Sequence, residues 1–391
     1  TGCGGSGSTG QTPSGSAGNP PGTTGSFGGS DVIKIGFFAP KTGPAAADGE
    51  SATNSARLAV DQINSAGGVL GKKLELVEYD DQLDPKQAVA IAQRLTTRDG
   101  VVAVVSGSYS GPTRAAAPIF ERAKLPMIAA YAVHPDIPKA GDFIFQQSFS
   151  GVVQGRAAAV VAAEQLKAKR ISILSVDNDF GQTIVDGFRE QAQKLGLEIV
   201  STDKFKIGDK EFSPVLTKIN EQNPDVLFVV GYAPEGAQIV RQARSLGLKA
   251  KILGTEGLDS TVQFLEVVGD AGDGVVIVTN LNRDDTDPQT QAYIKAYRDR
   301  YGHDPDMVGA SVYDAFQLLA EAIKRAGSTD PVAIRNALAG ITDFRTVTGP
   351  LYRYDEIGQA LKPVAVQQVK DGAFHHLSEV TSLDVITPPQ P

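Results

Sequence analysis

From Val32 onward the chain alternates between short β-branched runs and helical stretches with one apolar face. Val32-Ile33-Lys34-Ile35-Gly36-Phe37-Phe38 reads as a strand. The helix after it places Ala52, Ala56, Ala59 and Ile63 on one stripe at helical spacing, and Gly67-Gly68 stops it. Leu74-Glu75-Leu76-Val77 begins the next strand. Asp84-Pro85 opens a second helix whose buried face is Ala88, Ile91, Ala92 and Leu95. Alternation of this kind predicts parallel sheets with helices on both faces.

The pattern then repeats at larger scale. Val101–Val105 runs into Ser106-Gly107-Ser108-Tyr109-Ser110, a helix from about Pro112, and a strand at Pro126–Ala129 that ends near Tyr131. Asp225–Val230 runs into Gly231-Tyr232-Ala233, a helix from about Pro234, and a strand at Lys251–Gly254 that ends near Glu256. Val32–Phe38 with its helix pairs in the same way with Arg170–Val176 and a helix over Gly181–Leu195. Two lobes of similar construction follow. Ligands of open parallel sheets bind beyond the carboxyl ends of the strands. Tyr109-Ser110, Tyr131, Asn178-Asp179-Phe180, Tyr232 and Glu256 all stand there, so lobes that face each other would line one cleft with them.

Several chemistries are excluded. A net charge of −8 in 391 residues offers no basic face for nucleic acid, and no apolar run nears the roughly 20 residues of a bilayer span. One cysteine allows neither an internal disulfide nor a cysteine-rich zinc site. The four histidines, His134, His303, His375 and His376, have no metal-ligand spacing. Three motifs are decoys. Gly5-Ser6-Gly7-Ser8-Thr9-Gly10 spells a dinucleotide fingerprint without the strand and helix that such a fingerprint needs. Ala66–Lys73 resembles a phosphate loop, but its first glycine is misplaced and Lys73 stands where Ser or Thr is required. Gly107-Ser108-Tyr109-Ser110-Gly111 resembles a nucleophile elbow with Tyr109 in the nucleophile position. No catalytic constellation, metal site or cofactor motif is left, and the reading is of a binding protein without enzymatic activity.

The chain opens Thr1-Gly2-Cys3, then runs through Gly, Ser, Thr and Pro without a charge until Asp31. That composition cannot bury enough surface to offset its ordering entropy and reads as a flexible linker.

From Asp31 to about Glu379 the sequence resembles the branched-chain amino-acid-binding proteins, the substrate-binding components of ABC importers with the type I periplasmic-binding fold. The resemblance is carried by Ile35-Gly36 through Gly43-Pro44, Ala59–Asn64 with Gly67–Lys73, and Ala115-Ala116-Ala117-Pro118. Asp179-Phe180-Gly181, Gly231–Glu235, Gly254–Gly257 and Tyr313-Asp314-Ala315 continue it. It implies an α/β fold of two Rossmann-like three-layer lobes, joined by a hinge that the chain crosses near Ser148, Thr279 and Gly349. The implied division is a lipidated flexible linker over 1–30, a first lobe from 31–148 and 280–348, and a second from 149–279 and 349–391. Ser110, at the mouth of its helix, would help hold a ligand carboxylate. Glu256 would pair with the ligand ammonium, and Tyr131, Tyr232 and Phe180 would shape the site. Two positions depart from the family pattern: Val133 stands where Thr is common, and Asp48 where leucine-type binders carry an aromatic residue. If Asp48 faces the cleft, a polar or basic ligand side chain is favoured over leucine.

Thr1-Gly2-Cys3 resembles the end of a bacterial lipobox. Cys3 would carry the lipid, and the linker would tether the lobes with about 30 Å of reach. The expectation is a monomeric lipoprotein, matured from a signal-peptide precursor, on the outer side of the cytoplasmic membrane. It would bind a small ligand, foremost an amino acid, and serve an ABC permease, with no nucleic-acid partner. The alternative is a ligand-sensing protein of the same fold for an amide, a carboxylate or an aromatic compound. A sensor is expected to carry a signalling or transmembrane segment beyond the lobes, and none is read here before Pro391.

Overall fold

The structure, a computed structural model, describes residues 32–391; the lipidation and linker readings for Cys3 and residues 1–30 lie outside them. The first sheet is built in chain order from β1 (Val32–Ala39), α1 (Ala46–Ser65), β2 (Lys73–Asp80), α2 (Pro85–Thr97), β3 (Ala103–Ser106), α3 (Ser110–Arg122), β4 (Met127–Ala129) and β5 (Ile144–Gln146). Its strands are all parallel, in the order β2-β1-β3-β4-β5. The buried runs Ile35–Ala39 of β1 and Ala103–Val105 of β3 follow from this, because helices cover both faces of a parallel sheet. Ile35, Phe37 and Phe38 of β1 are fully buried. The stripe of α1 and the apolar face of α2 lie against the sheet as their periodicity predicts, with Ala52, Ala56, Ala59, Ile63, Ala88, Ile91, Ala92 and Leu95 buried.

The chain then adds α4 (Gly151–Val160), β6 (Arg170–Val176), α5 (Asp179–Leu195), β7 (Glu198–Phe205), α6 (Ser213–Glu221), β8 (Val226–Val230), α7 (Ala233–Ser245), β9 (Lys251–Gly254), the short α8 (Glu266–Val268) and β10 (Val276–Thr279). It returns to the first lobe with α9 (Pro288–Tyr301), α10 (Met307–Ala326) and α11 (Pro331–Ala339); α10 packs along α1. A small antiparallel sheet follows, made of β11 (Thr342–Thr346), β12 (Gly349–Tyr354) and β13 (Ala360–Leu361). The last elements are β14 (Val364–Lys370), β15 (Ala373–Val380) and α12 (Leu383–Ile386). The second sheet runs β15-β14-β10-β9-β8-β6-β7, parallel except for the antiparallel hairpin of β14 and β15 at its edge. Residues 349–361, expected with the second lobe, form β12 and β13, and a Gln146–Gln359 bridge ties this stretch to the edge of the first sheet.

Three helices begin earlier than the prolines and glycines of the sequence suggest. α3 starts at Ser110 rather than Pro112, α7 at Ala233 rather than Pro234, and α5 at Asp179 rather than Gly181. Proline is tolerated throughout the first turn, whose N–H groups have no intrahelical partner, so it marks the turn and not its first residue. At α5, the Asn178 side chain accepts the Gly181 N–H at 3.0 Å and sets the start.

α4 and α5 approach backbone to backbone at two glycines. A Cβ on Gly155 would collide with the Ile184 carbonyl, and one on Gly187 with the Val152 carbonyl. Backbone cannot step aside as a flexible side chain can, so Gly187→Ala should lower stability by about 1–3 kcal/mol. Urea denaturation checks this: a midpoint equal to wild type would mean that the helices separate at no cost.

Candidate functional site

The carboxyl ends of the strands of both sheets meet at one small cavity. Its lining includes Asp48, Ser110, Tyr131, Phe180, Tyr232 and Glu256, so all six candidate cleft residues reach one chamber. Each is delivered by the turn that leaves a strand or opens a helix. Tyr109 and Ser110 follow β3, Tyr131 follows β4, Phe180 lies in the first turn of α5, Tyr232 follows β8 and Glu256 follows β9. Asp48 comes from the first turn of α1.

Aromatic rings close one side. Tyr109, from the first lobe, stacks on Tyr232 of the second with centroids 4.6 Å apart and planes 16° from parallel. Tyr232 stacks in turn on Phe180 at 4.9 Å. Tyr131 meets Tyr109 edge-on at 6.2 Å and donates its hydroxyl to the Gly107 carbonyl at 2.8 Å. Asn178 donates to the Tyr232 hydroxyl at 3.0 Å, which fixes the ring in the middle of the stack. Outside the stack, Arg114 of the first lobe reaches Asp179 of the second at 3.2 Å.

Asp48 holds the other side. One of its oxygens accepts the Tyr109 hydroxyl at 2.6 Å, and the other accepts the Gln263 amide at 2.8 Å from the second lobe. Burial raises the Asp48 pKa, and these two bonds act against the rise. Asp306 caps α10 by accepting the Gly309 N–H at 2.8 Å and also accepts the Ser51 hydroxyl at 2.5 Å. Burial first, and the neighbouring Asp48 charge second, lift its pKa to about 7.

Glu256 differs from both. It is fully buried, and neither carboxylate oxygen has a hydrogen-bond partner. Its backbone N–H is held by the Gln154 side-chain oxygen at 3.0 Å, so the residue is positioned while its charge is left unanswered. Burial lifts its pKa to about 8; the nearby Gln154 amide, whose own buried nitrogen has no hydrogen-bond partner, opposes the rise, Asp259 adds to it, and Lys362 opposes it. Neighbouring Asp259, by contrast, pairs with Arg283 and accepts the Thr279 hydroxyl at 2.6 Å. Lys362 is itself buried and committed elsewhere, donating to the Thr348 hydroxyl at 2.7 Å beside Asp314. A buried acceptor with no donor is costly and marks where a cation is wanted.

Ser110 opens α3 at the cavity wall. Its hydroxyl oxygen accepts the N–H groups of Val133 and His134 at 3.2 and 3.3 Å, which leaves its own proton free to donate. The positive end of a helix of 13 residues lies at the same place.

The sequence did not single out Asp259, Gln263, Met307 or Val308, all at or beside the chamber. Met307 and Val308 begin α10, and the helix start at Asp306-Met307 was the available signal. Among the described residues no group of His, Cys, Asp and Glu is placed to hold a metal, and no helix is long and apolar enough to cross a membrane.

Two facing parallel-sheet lobes with a shared chamber at their strand ends define a solute-binding protein of the hinged, two-lobed class. The sequence model of the periplasmic binding proteins matches residues 32–373. The chain is similar to the leucine-, isoleucine-, valine-, threonine- and alanine-binding protein of Pseudomonas aeruginosa, with 34% identity over 84% of this chain and 87% of that one. Its fold is similar to a leucine-binding protein from Thermotoga maritima, with TM-score 0.83 and 30% identity over 90% of this chain and 99% of that one. It is also similar to an ABC-transporter solute-binding protein from Rhodopseudomonas palustris in complex with 3,4-dihydroxybenzoic acid, with TM-score 0.83 and 25% identity over 90% and 97% of the two chains. The chain belongs to the branched-chain amino-acid-binding family of type I periplasmic binding proteins.

Proposed function

We propose that this protein captures a free α-amino acid between its lobes and delivers it to an ABC-type permease. The observation that carries the reading is the buried, unpartnered Glu256 carboxylate. An α-ammonium would satisfy it, while the Ser110 hydroxyl and the mouth of α3 would receive the carboxylate. A ligand that joins Glu256 of the second lobe to Ser110 of the first couples binding to closure of the hinge. An aromatic acid such as a benzoate has no cation for Glu256, and the charge pattern of the chamber disfavours it. The names of the Pseudomonas and Thermotoga relatives support the same reading.

Location outside the cytoplasmic membrane, a lipid on Cys3 and a monomeric state belong to this proposal. Membrane fractionation of wild type against Cys3→Ser tests the anchor; equal release of both into the soluble fraction would remove it.

Isothermal titration against the standard amino acids and a set of organic acids tests the function. At least one α-amino acid should bind in the micromolar range or tighter, and no acid lacking an amine should compete. Tight binding of an amine-free acid alone would overturn the reading. Ser110→Ala should weaken the best ligand only by a few-fold to about tenfold, since a neutral hydrogen bond contributes about 0.5–1.5 kcal/mol and the helix N–H groups remain. An unchanged affinity would remove Ser110 from the site.

A further inference from the structure

We infer that the amino acid bound here carries a cation at the end of its side chain, and that Asp48 selects it. The inference rests on the amino-acid reading and narrows it to a ligand class, the basic amino acids.

Four observations support it. Three carboxylates line the chamber in different surroundings: Asp259 is paired with Arg283, Glu256 has no hydrogen-bond partner, and Asp48 accepts one hydrogen bond on each oxygen and keeps a lone pair on each. Between them the walls are apolar or aromatic, from Phe180, Tyr131, Tyr232, Met307 and Val308. Such walls suit a methylene stem, and aromatic faces attract the charge at its end. Third, the partly buried Asp48 acts on a buried carboxylate, Asp306, and its charge disfavours ionisation there. Of the cations that act on these acids, Arg283 pairs with Asp259 through one guanidinium nitrogen, and Lys362 donates to Thr348 beside Asp314. A cationic side chain would supply the missing positive charge.

Fourth, Gln263, which donates to Asp48, also lines a small neighbouring hollow that shares Ser260 with the chamber. That hollow is lined by Glu50, Ser51, Asn54, Tyr297 and Asp306 and offers acceptors for a donor-rich head group. A branched aliphatic side chain would leave these carboxylates facing hydrocarbon, and desolvating charge without a partner is unfavourable.

Titration calorimetry with lysine, arginine, leucine and norleucine tests the inference, norleucine having the lysine stem without its charge. Lysine or arginine should bind at least about tenfold more tightly than norleucine and leucine, in keeping with a hydrogen bond to a charged group. In Asp48→Asn that preference should collapse to within a few-fold, because the shape and the Gln263 contact are retained while the charge is lost. Asp48→Leu should reverse it in favour of leucine. Thermal melting of each variant reports whether it is folded, and Asp48→Asn tests the point even if Asp48→Leu does not fold. Leucine binding more tightly than lysine to wild type, or a preference unchanged in Asp48→Asn, overturns this inference and leaves the amino-acid reading standing. Failure of every amino acid to bind overturns the reading beneath it.

Discussion

Glu256→Gln should weaken amino-acid binding by roughly thirtyfold or more and leave the free protein at least as stable as wild type. The first half follows from charge. Removing one partner of a buried charge pair typically costs about 2–5 kcal/mol, and the amide turns an acceptor-only group into one that also presents donors to an ammonium. The second half follows from the free site. Glu256 is fully buried with both carboxylate oxygens unpartnered, an arrangement that opposes folding and that a neutral isostere relieves. Calorimetry and a thermal melt on the same sample separate the two effects. A variant that loses stability along with affinity would mark Glu256 as a structural group, and one that binds as tightly as wild type would remove it from the site.

Affinity should rise with pH across the neutral range by up to about tenfold per unit. The sign follows from the protonation of Glu256. Burial lifts its pKa to about 8, so below that pH the free chamber holds the neutral acid. The ammonium of the ligand needs the carboxylate, so binding must release the proton, and competition with protons weakens as pH rises toward 8. Asp306, lifted to about 7, reinforces the trend because its ionisation also favours a cation nearby. Calorimetry at pH 6 and pH 7.5, in buffers of different ionisation enthalpy, should show uptake by the buffer of close to one proton per ligand at the lower pH. Glu256→Gln should flatten the profile. An affinity that is constant or falls between these pH values contradicts the assignment.

The same shifts govern the protein without ligand. A carboxyl whose pKa is higher folded than unfolded binds more protons in the native state, so its contribution to stability is lost as pH rises from about 4.5 to about 8. The free protein should therefore melt progressively lower across this window, and the stabilisation by ligand should grow.

Much of this architecture is legible in the sequence because a parallel sheet covered on both faces has little latitude. Its strands must be apolar throughout, as in β8, its helices must carry one stripe, as in α1, and its ligand must lie beyond the strand ends. That rule is why Ser110, Tyr131, Phe180, Tyr232 and Glu256 can be collected from the sequence. What escaped depends on the closing of one lobe over the other. Gln263 meets Asp48 across 215 positions of sequence, from a helical turn at Thr261–Leu265 that does not follow the strand-turn-helix pattern. Met307 and Val308 enter the chamber from the start of α10 on the return to the first lobe. The antiparallel hairpin of β14 and β15 carries no signal of its sheet or edge, because period-two patterning does not say which strand a run pairs with.

The difference between an unanswered carboxylate and a satisfied one was equally invisible. Glu256 and Asp259 stand three residues apart, and both are buried. Only the fold places Arg283 against Asp259 and leaves Glu256 without a partner.

The central claim is that this chamber recognises an α-ammonium through Glu256, and paired titration tests it most directly. The tightest-binding amino acid and its deaminated analogue, the same carbon chain and carboxylate without the amine, are titrated into wild-type protein under identical conditions. The amino acid should bind at least about thirtyfold more tightly, and the gap should largely close in Glu256→Gln. Equal affinities of the two compounds for the wild-type protein would contradict the claim.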